Sequence, residues 1–211
     1  MLLWINGPFG GGKTQTAHEL HRRLPGSVVC DPEQLGYGLH RMLPPHMRGD
    51  FQDHASWRYG VFEILDLVLA EHEGTVIVPM TVVEPEYFAE TVGRLRENGH
   101  EVRHFALLAE RETVLDRLRD RGLGLVPFLR IVGQQDLLLR REQFAVDKLD
   151  RCLEQLGKPE FGERIWTDTA TVAEVADRIA DITGLPLTPN IDGRLRNRLR
   201  RMAVTLKHAH V

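Results

Sequence analysis

The chain has 211 residues and a mass of 24.1 kDa, and 42% of its residues are hydrophobic, so it can bury one sizeable core. Its 27 basic and 30 acidic side chains give a net charge of −3, which disfavours a protein that coats nucleic acid. Two cysteines exclude a disulfide framework and favour a reducing compartment. With neither a signal-like start nor a membrane-spanning apolar run, we expect a cytoplasmic protein that is at most peripheral on the inner membrane surface.

Short apolar runs alternate with helical patterns along the chain. Five runs predict buried strands, at Leu2 to Ile5, Ser27 to Cys30, Thr75 to Pro79, Val102 to Leu108 and Arg164 to Thr167. Apolar residues spaced by three and four predict helices at Gln15 to Leu24, Ala55 to Glu71, Glu86 to Glu97 and Glu112 to Arg121, and a capping box at Thr171 predicts one that ends at Ile182. This alternation predicts a three-layer α/β fold, in which a five-stranded parallel sheet carries helices on both faces.

A glycine-rich loop follows the first predicted strand and precedes a helix. Residues 7–14 read GPFGGGKT and fit the phosphate-binding pattern GxxxxGK[ST]. Glycines let the backbone wrap so that amide groups point at phosphate oxygens, at the positive end of the helix dipole. We therefore predict that a nucleoside triphosphate binds at Gly7, Phe9, Gly10, Gly11, Gly12, Lys13, Thr14 and Gln15. Lys13 would reach the β- and γ-phosphates, and the Thr14 hydroxyl would hold Mg²⁺.

The residues after the second and third strands indicate the class of this loop protein. The third strand continues into Met80 and Thr81 without the DxxG pattern of a switch GTPase or the acidic residue of a motor. An acid follows the second strand instead, at Asp31, where small-molecule kinases place the carboxylate that accepts a proton from the attacking hydroxyl. Asp31 also precedes a proline and a predicted helix, so it is equally a candidate helix cap.

Cations for the transferred phosphate are expected after the fourth strand. Arg117 and Arg121 are four residues apart and share one helix face, and Gly122 and Gly124 follow as a candidate hinge. We predict that this arginine pair belongs to a lid over residues 121–145. A solvated helix face is the alternative explanation for the same arginines.

The chain resembles the tunicamycin-resistance ATP-binding proteins, a branch of the P-loop kinases that is similar to chloramphenicol phosphotransferase and shikimate kinase. The resemblance covers most of residues 2–182 and is carried by WINGPFGGGKTQTAHELHRRL, DPEQLG, DFQD, VIVPMTVVEPEYF, RLRDRG and DKLDRC. It implies a sheet with the first strand at its centre, ATP with Mg²⁺ at residues 7–14, and adenine near Asp168 and Thr169. We predict that the acceptor lies beside Asp31 and contacts Tyr37, Arg41, Phe51, Gln52, Asp53 and Thr81.

The resemblance also implies resistance to an amphiphilic nucleoside antibiotic. We expect a magnesium-dependent kinase that phosphorylates a hydroxyl of a small molecule such as tunicamycin, with Asp31 as base and Lys13, Arg117 and Arg121 as phosphate-binding cations. A protein that captures the drug without chemistry is the first alternative. A metabolic kinase that uses the same residues on another acceptor is the second.

The C-terminal residues differ in charge from the rest of the chain. We predict one domain over residues 1–184 and, over residues 185–211, a proline-containing linker and a basic amphipathic tail. Six basic residues and one acid lie from Asp192 onward, and Leu195, Leu199, Met202 and Leu206 share one helical face. Such a helix can lie on an anionic membrane surface, or it can pack on the body or on a second subunit of a homodimer.

Overall fold

Five parallel strands form the centre of the molecule, in the order β2-β3-β1-β4-β5. They are β1 (Leu2–Asn6), β2 (Val28–Val29), β3 (Val76–Pro79), β4 (Val102–Leu108) and β5 (Glu163–Trp166). This computed structural model describes residues 1–120, 146–158, 161–193, 196, 200 and 202–204. The predicted five-stranded parallel sheet with the first strand at its centre is confirmed.

Helices connect the strands and cover both faces of the sheet. They are α1 (Lys13–Arg23), α2 (Glu33–Met42), α3 (Ala55–Glu71), α4 (Pro85–Phe88, Ala89–Gly93 and Arg94–Glu97), α5 (residues 111–120), α6 (Leu149–Leu156) and α7 (Val172–Thr183). The capping box predicted before α7 is confirmed: the Thr171 hydroxyl accepts the Glu174 amide at 3.3 Å, and the Glu174 carboxylate accepts the Thr171 amide at 2.7 Å.

The side chains of β1 divide the core into two layers. Successive residues of a strand point to opposite faces, so Leu2 and Trp4 enter one layer, and Leu3 and Ile5 enter the other. The Leu2 layer packs against α3 and α4, and the Leu3 layer packs against α1 and α7. All four side chains are fully buried, so the loop that follows β1 starts from the closely packed core.

Two elements differ from the prediction. β2 is shorter than predicted because it is an edge strand that pairs only with β3, although the Cys30 amide still donates to the Ile77 carbonyl. α4 is not a regular helix, because its middle segment, Ala89–Gly93, is π-helical. The buried Thr91 hydroxyl donates to the Tyr87 carbonyl at 2.8 Å and so satisfies a backbone group beside the irregular turn.

The residues after α7 attach to the end of α1. Thr188 donates its amide and its hydroxyl to the Arg23 carbonyl, at 2.8 and 2.9 Å, and Leu185 and Leu187 pack against the core. The predicted lid at residues 121–145 and most of the predicted tail lie outside the described residues. In the described part of the chain, no helix is long and apolar enough to span a membrane.

His104 is a buried histidine in β4. It is 4% exposed, its ring lies 4.7 Å from the ring of Phe88, and neither of its ring nitrogens has a hydrogen-bond partner among the described residues. Burial, assisted by the nearby Arg96 cation, lowers the pKa of His104 to about 3. The imidazole is therefore neutral in the folded protein at every pH at which an exposed histidine titrates.

We predict that His104 makes the protein sensitive to mild acid. An unfolded chain protonates this side chain near pH 6.5 and the folded chain only near pH 3, so folding stability falls as the pH drops through that window. The contribution between pH 7 and pH 5 is about 2 kcal/mol. Chemical denaturation at both pH values should show that His104→Leu removes this loss. The control His46→Gln, at an exposed position, should lose as much stability between pH 7 and pH 5 as the wild type does. The prediction is contradicted if the wild type and His104→Leu lose equal stability over that range.

Candidate active site

The predicted phosphate loop connects β1 to α1 and contains three glycines with positive φ. Gly7, Gly10 and Gly12 have φ of +155°, +78° and +91°. A Cβ on Gly7 would lie 2.9 Å from the Leu107 carbonyl oxygen, so a side chain is excluded there by the neighbouring strand. No atom lies within 4 Å of a Cβ built on Gly12, so there is open space beside the start of the helix. Positive φ at these glycines is typical of a loop whose backbone wraps around a phosphate group.

The N-terminus of α1 has no negative charge of its own. Gly12 is the N-cap and supplies no capping side chain, and the first turn, which contains Lys13 and Thr14, has no acidic residue. The first amides of a helix have no partner within the helix, and they lie at the positive end of its dipole. This end of α1 is therefore suited to an anion such as a phosphate.

Lys13 lies over the loop and near α6. Its side chain is buried, its ammonium donates to the Pro8 carbonyl at 3.0 Å, and its Nζ is 5.5 Å from the centre of the Phe9 ring. Burial raises the pKa of the Cys152 thiol to about 12, and the Lys13 cation partly opposes that shift. The ammonium thus lies on the phosphate loop, and its charge acts on the thiol of Cys152.

A buried asparagine joins the phosphate loop to the segment that follows β3. Asn6 donates its side-chain amide to the Val82 carbonyl at 2.7 Å, and its oxygen accepts the amides of Gly7 and Val82 at 2.9 and 3.1 Å. Thr81 adds a fourth bond, from its hydroxyl to the Gly7 carbonyl at 2.7 Å. β1 and β3 are parallel, so their carboxyl ends lie side by side. These four hydrogen bonds hold together the two segments that follow the strands.

A cavity of about 270 Å³ opens beside the phosphate loop. Four segments that are distant in sequence surround it: the loop itself, the turn before α3, the residues after β3, and α6. Its lining consists of Pro8, Phe9, Asp50, Gln52, Asp53, Thr81, Val83, Glu84, Tyr87, Lys148, Leu149, Arg151 and Cys152. The cavity therefore extends from the predicted nucleotide site to the predicted acceptor residues.

The three carboxylates of the cavity wall each have a partner from another segment. Lys148 Nζ lies 3.3 Å from Asp50, and Arg151 lies 2.7 Å from Glu84. The Tyr87 hydroxyl donates to Asp53 at 2.9 Å, and this bond, together with burial, raises the pKa of Tyr87. The wall consequently holds two ion pairs and one hydrogen-bonded carboxylate.

The structure brings part of the predicted acceptor set together at this cavity. Gln52, Asp53 and Thr81 line it. Phe51 packs behind the lining, where its ring centre lies 6.2 Å from that of Tyr37. Tyr37 donates its hydroxyl to Glu33, and Arg41 lies on the surface at the end of α2. Phe51, Tyr37 and Arg41 thus lie outside the cavity lining.

Asp31 follows β2, so it lies at the same edge of the sheet as the phosphate loop. Its carboxylate accepts the Glu33 amide at 3.0 Å, and its carbonyl accepts the Gln34 amide at 3.1 Å. The N-cap of α2 is Pro32, which supplies no capping side-chain bond, so the predicted capping position of Asp31 is wrong by one residue. Asp31 instead precedes the cap and accepts the first helical amide. This hydrogen bond uses one oxygen of the Asp31 carboxylate. That Asp31 accepts a proton from the acceptor hydroxyl stays a prediction.

Arg117 and Asp168 join α5 to the loop after β5. Arg117 donates to the hydroxyl and the carbonyl of Thr167, at 3.0 and 2.5 Å, and Asp168 accepts the Glu110 amide at 2.9 Å. Burial raises the pKa of Asp168, but hydrogen bonds, that of the Glu110 amide foremost, outweigh it and lower the pKa overall. Thr169 is exposed beside them, and Arg121 lies outside the described residues. The Thr167–Asp168 segment is thus held to both ends of the β4–α5 connection, and Thr169 follows it.

Comparison with known proteins gives the family. A family model described as an AAA domain matches residues 2–128. The structure of the Deinococcus radiodurans tunicamycin resistance protein is 32% identical, with a TM-score of 0.70 over 90% of this chain and 99% of that chain. The chain belongs to the tunicamycin-resistance family of P-loop kinase-like proteins. No curated protein matches it.

More distant structures share the fold of this P-loop kinase-like protein. Shikimate kinase from Bacteroides thetaiotaomicron is 16% identical, with a TM-score of 0.55 over 88% of this chain and 99% of that chain. The Mycobacterium tuberculosis APS kinase in complex with AMPPNP and APS is also 16% identical, with a TM-score of 0.51 over 87% of this chain and 96% of that chain. At this identity the likeness concerns the fold alone.

Several residues of this P-loop site were not predicted from the sequence. They are Asn6, Asp50, Glu84, Tyr87, Lys148 and Arg151. For Lys148 and Arg151, the sequence does contain a signal for the helix that carries them. Leu149, Cys152 and Leu156 are spaced by three and four, which is typical of a buried helix face, and they form the buried face of α6. The others depend on contacts between distant segments, for which the sequence carries no local pattern.

Proposed function

We propose that the protein is a phosphotransferase that moves the γ-phosphoryl group of ATP to a hydroxyl of a small molecule, and that a nucleoside-type antibiotic such as tunicamycin is the acceptor. The observation that carries this proposal is the cavity that runs from the phosphate loop to Gln52, Asp53 and Thr81. The name of the Deinococcus radiodurans relative supports the choice of antibiotic.

On the nucleotide side, the first-turn amides of α1 and the Lys13 ammonium bind the phosphates of ATP. Phe9, Gly10, Gly11 and Gln15 belong to the same loop and first turn, and the Asp168 and Thr169 segment receives adenine. Thr14 is the residue that would hold Mg²⁺, which neutralises phosphate charge when it is bound. Arg117 keeps the adenine segment in place through Thr167, and its role as a lid cation with Arg121 stays a prediction.

On the acceptor side, the charges favour a neutral molecule with several hydroxyls. The cavity wall has three carboxylates and two cations, and both cations already form ion pairs with the wall. An anionic acceptor would have to break one of those pairs, whereas a hydroxyl can donate to a carboxylate without doing so. A volume of about 270 Å³, close to the lower end of ligand pockets at about 300 Å³, accommodates a sugar-sized group.

The reaction itself provides the first test. The purified protein is incubated with ATP, Mg²⁺ and tunicamycin, and the drug is analysed by mass spectrometry. We expect a species heavier by one phosphoryl group, which is absent when ATP is omitted and which forms faster than the phosphorylated product of an anionic acceptor such as shikimate. Tight binding of unmodified drug would contradict transfer and would indicate capture instead.

The identity of the base provides the second test, with Asp31 compared with the cavity-lining Asp53. An asparagine oxygen can accept the Glu33 amide as the Asp31 carboxylate does, so Asp31→Asn should leave the fold intact while it lowers the transfer rate by about 100-fold or more at unchanged ATP affinity. Asp53→Asn should mainly raise the KM for the acceptor. If Asp31→Asn transfers at the wild-type rate while Asp53→Asn does not, Asp31 only stabilises the start of α2 and the assignment is wrong.

A further inference from the structure

Arg58 lies in α3 behind the acceptor wall and outside the cavity lining. Its side chain is 11% exposed, so its charge is largely shielded from water. Its Nε donates to Glu90 at 2.6 Å, its Nη1 donates to the Gln52 carbonyl at 2.6 Å, and its Cζ lies 4.3 Å from the centre of the Tyr87 ring. One planar guanidinium therefore contacts an acid, a backbone carbonyl and an aromatic face on two separate segments.

The partners of Arg58 are also the groups that shape the cavity. The Gln52 carbonyl belongs to the Phe51–Asp53 turn, where the Asp50 carboxylate accepts the Gln52 amide at 3.1 Å. Tyr87 holds the Asp53 carboxylate through its hydroxyl, at 2.9 Å. Arg58 is thus one contact away from both ends of the wall that the acceptor faces.

The irregular turn of α4 supplies the counter-charge for Arg58. Glu90 lies in the π-helical segment Ala89–Gly93, between Tyr87 and Arg94. π-Helical turns are rare in proteins overall, and those that occur are often found at functional sites. The buried Thr91 hydroxyl satisfies the Tyr87 carbonyl, so the turn is stable as it stands and presents Glu90 and Tyr87 to the same arginine.

We propose that Arg58 is a positioning residue that determines acceptor recognition, because it sets the spacing between the Gln52–Asp53 turn and Tyr87. The inference rests on the proposed function, since the acceptor is the molecule that this wall contacts. A lysine keeps the charge but has a single nitrogen, so it cannot donate to Glu90 and Gln52 in the fixed geometry of a guanidinium and lie flat on Tyr87.

The test compares Arg58→Lys with a matched control, Arg94→Lys. Arg94 also stacks on an aromatic ring, with its Cζ 3.9 Å from the centre of the Phe62 ring, but it does not line the cavity or contact its wall residues in the described structure. We expect Arg58→Lys to lower kcat/KM for tunicamycin at least 10-fold and to leave the KM for ATP within about 2-fold. Tyr87→Phe, which removes only the hydroxyl, should raise the KM for tunicamycin about 5-fold. Arg94→Lys should change none of these constants.

A second measurement needs no acceptor and separates this inference from the proposed function. The amides of Asp53 and His54 donate within the turn, at 3.0 and 3.2 Å, so their hydrogen exchange reports on its stability. We expect at least 10-fold faster exchange in Arg58→Lys and wild-type exchange in Arg94→Lys. Unchanged exchange in Arg58→Lys, or equal effects of the two variants on exchange and on kcat/KM, would overturn the proposal. A wild type that neither binds nor phosphorylates tunicamycin would refute the proposed acceptor, while the exchange result would still decide whether Arg58 holds the wall.

Discussion

The hydrogen bonds of the buried Asn6 side chain hold the start of the phosphate loop against the segment after β3. Because β1 is the central strand and its neighbours β3 and β4 pair with it along most of its length, the loop leaves the sheet from a fixed point. Thr81 then has two roles, since it donates to the Gly7 carbonyl and also lines the cavity. The proposed nucleotide and acceptor sides of the site are therefore joined by direct hydrogen bonds.

The acceptor wall is assembled from segments that are far apart in the chain and is stabilised by paired charges. α6 contributes Lys148 and Arg151, which pair with Asp50 and Glu84. Exposed pairs of this kind contribute little to folding, about 0–1 kcal/mol each, so their main effect is on the electrostatics of the cavity. Arg58 differs from them because it is buried, and its partners fix the backbone and ring positions from which the wall is built.

The sequence predicts the features of this protein that depend on local patterns. Periodicity placed the strands and most helices within a few residues, the glycine pattern placed the phosphate loop, and the Thr171 capping box placed the start of α7. Features that depend on tertiary contacts are not predictable from local sequence. Nothing near Asn6 in the sequence indicates its bond to Val82, and nothing near Arg58 indicates its contacts with Glu90 and Tyr87. The length of β2 also depended on the tertiary structure, since it follows from its position at the edge of the sheet.

We infer that the loop from Gly7 to Thr14 binds a nucleoside triphosphate through its backbone amides and Lys13. Isothermal titration of the wild type and Lys13→Met with ATP and Mg²⁺ tests this inference, because methionine has a similar length and no charge, and thermal unfolding verifies that the variant folds. We expect the wild type to bind one ATP and Lys13→Met to bind it at least 10-fold more weakly. A wild type that does not bind ATP, or a folded Lys13→Met that binds it equally well, would refute the inference.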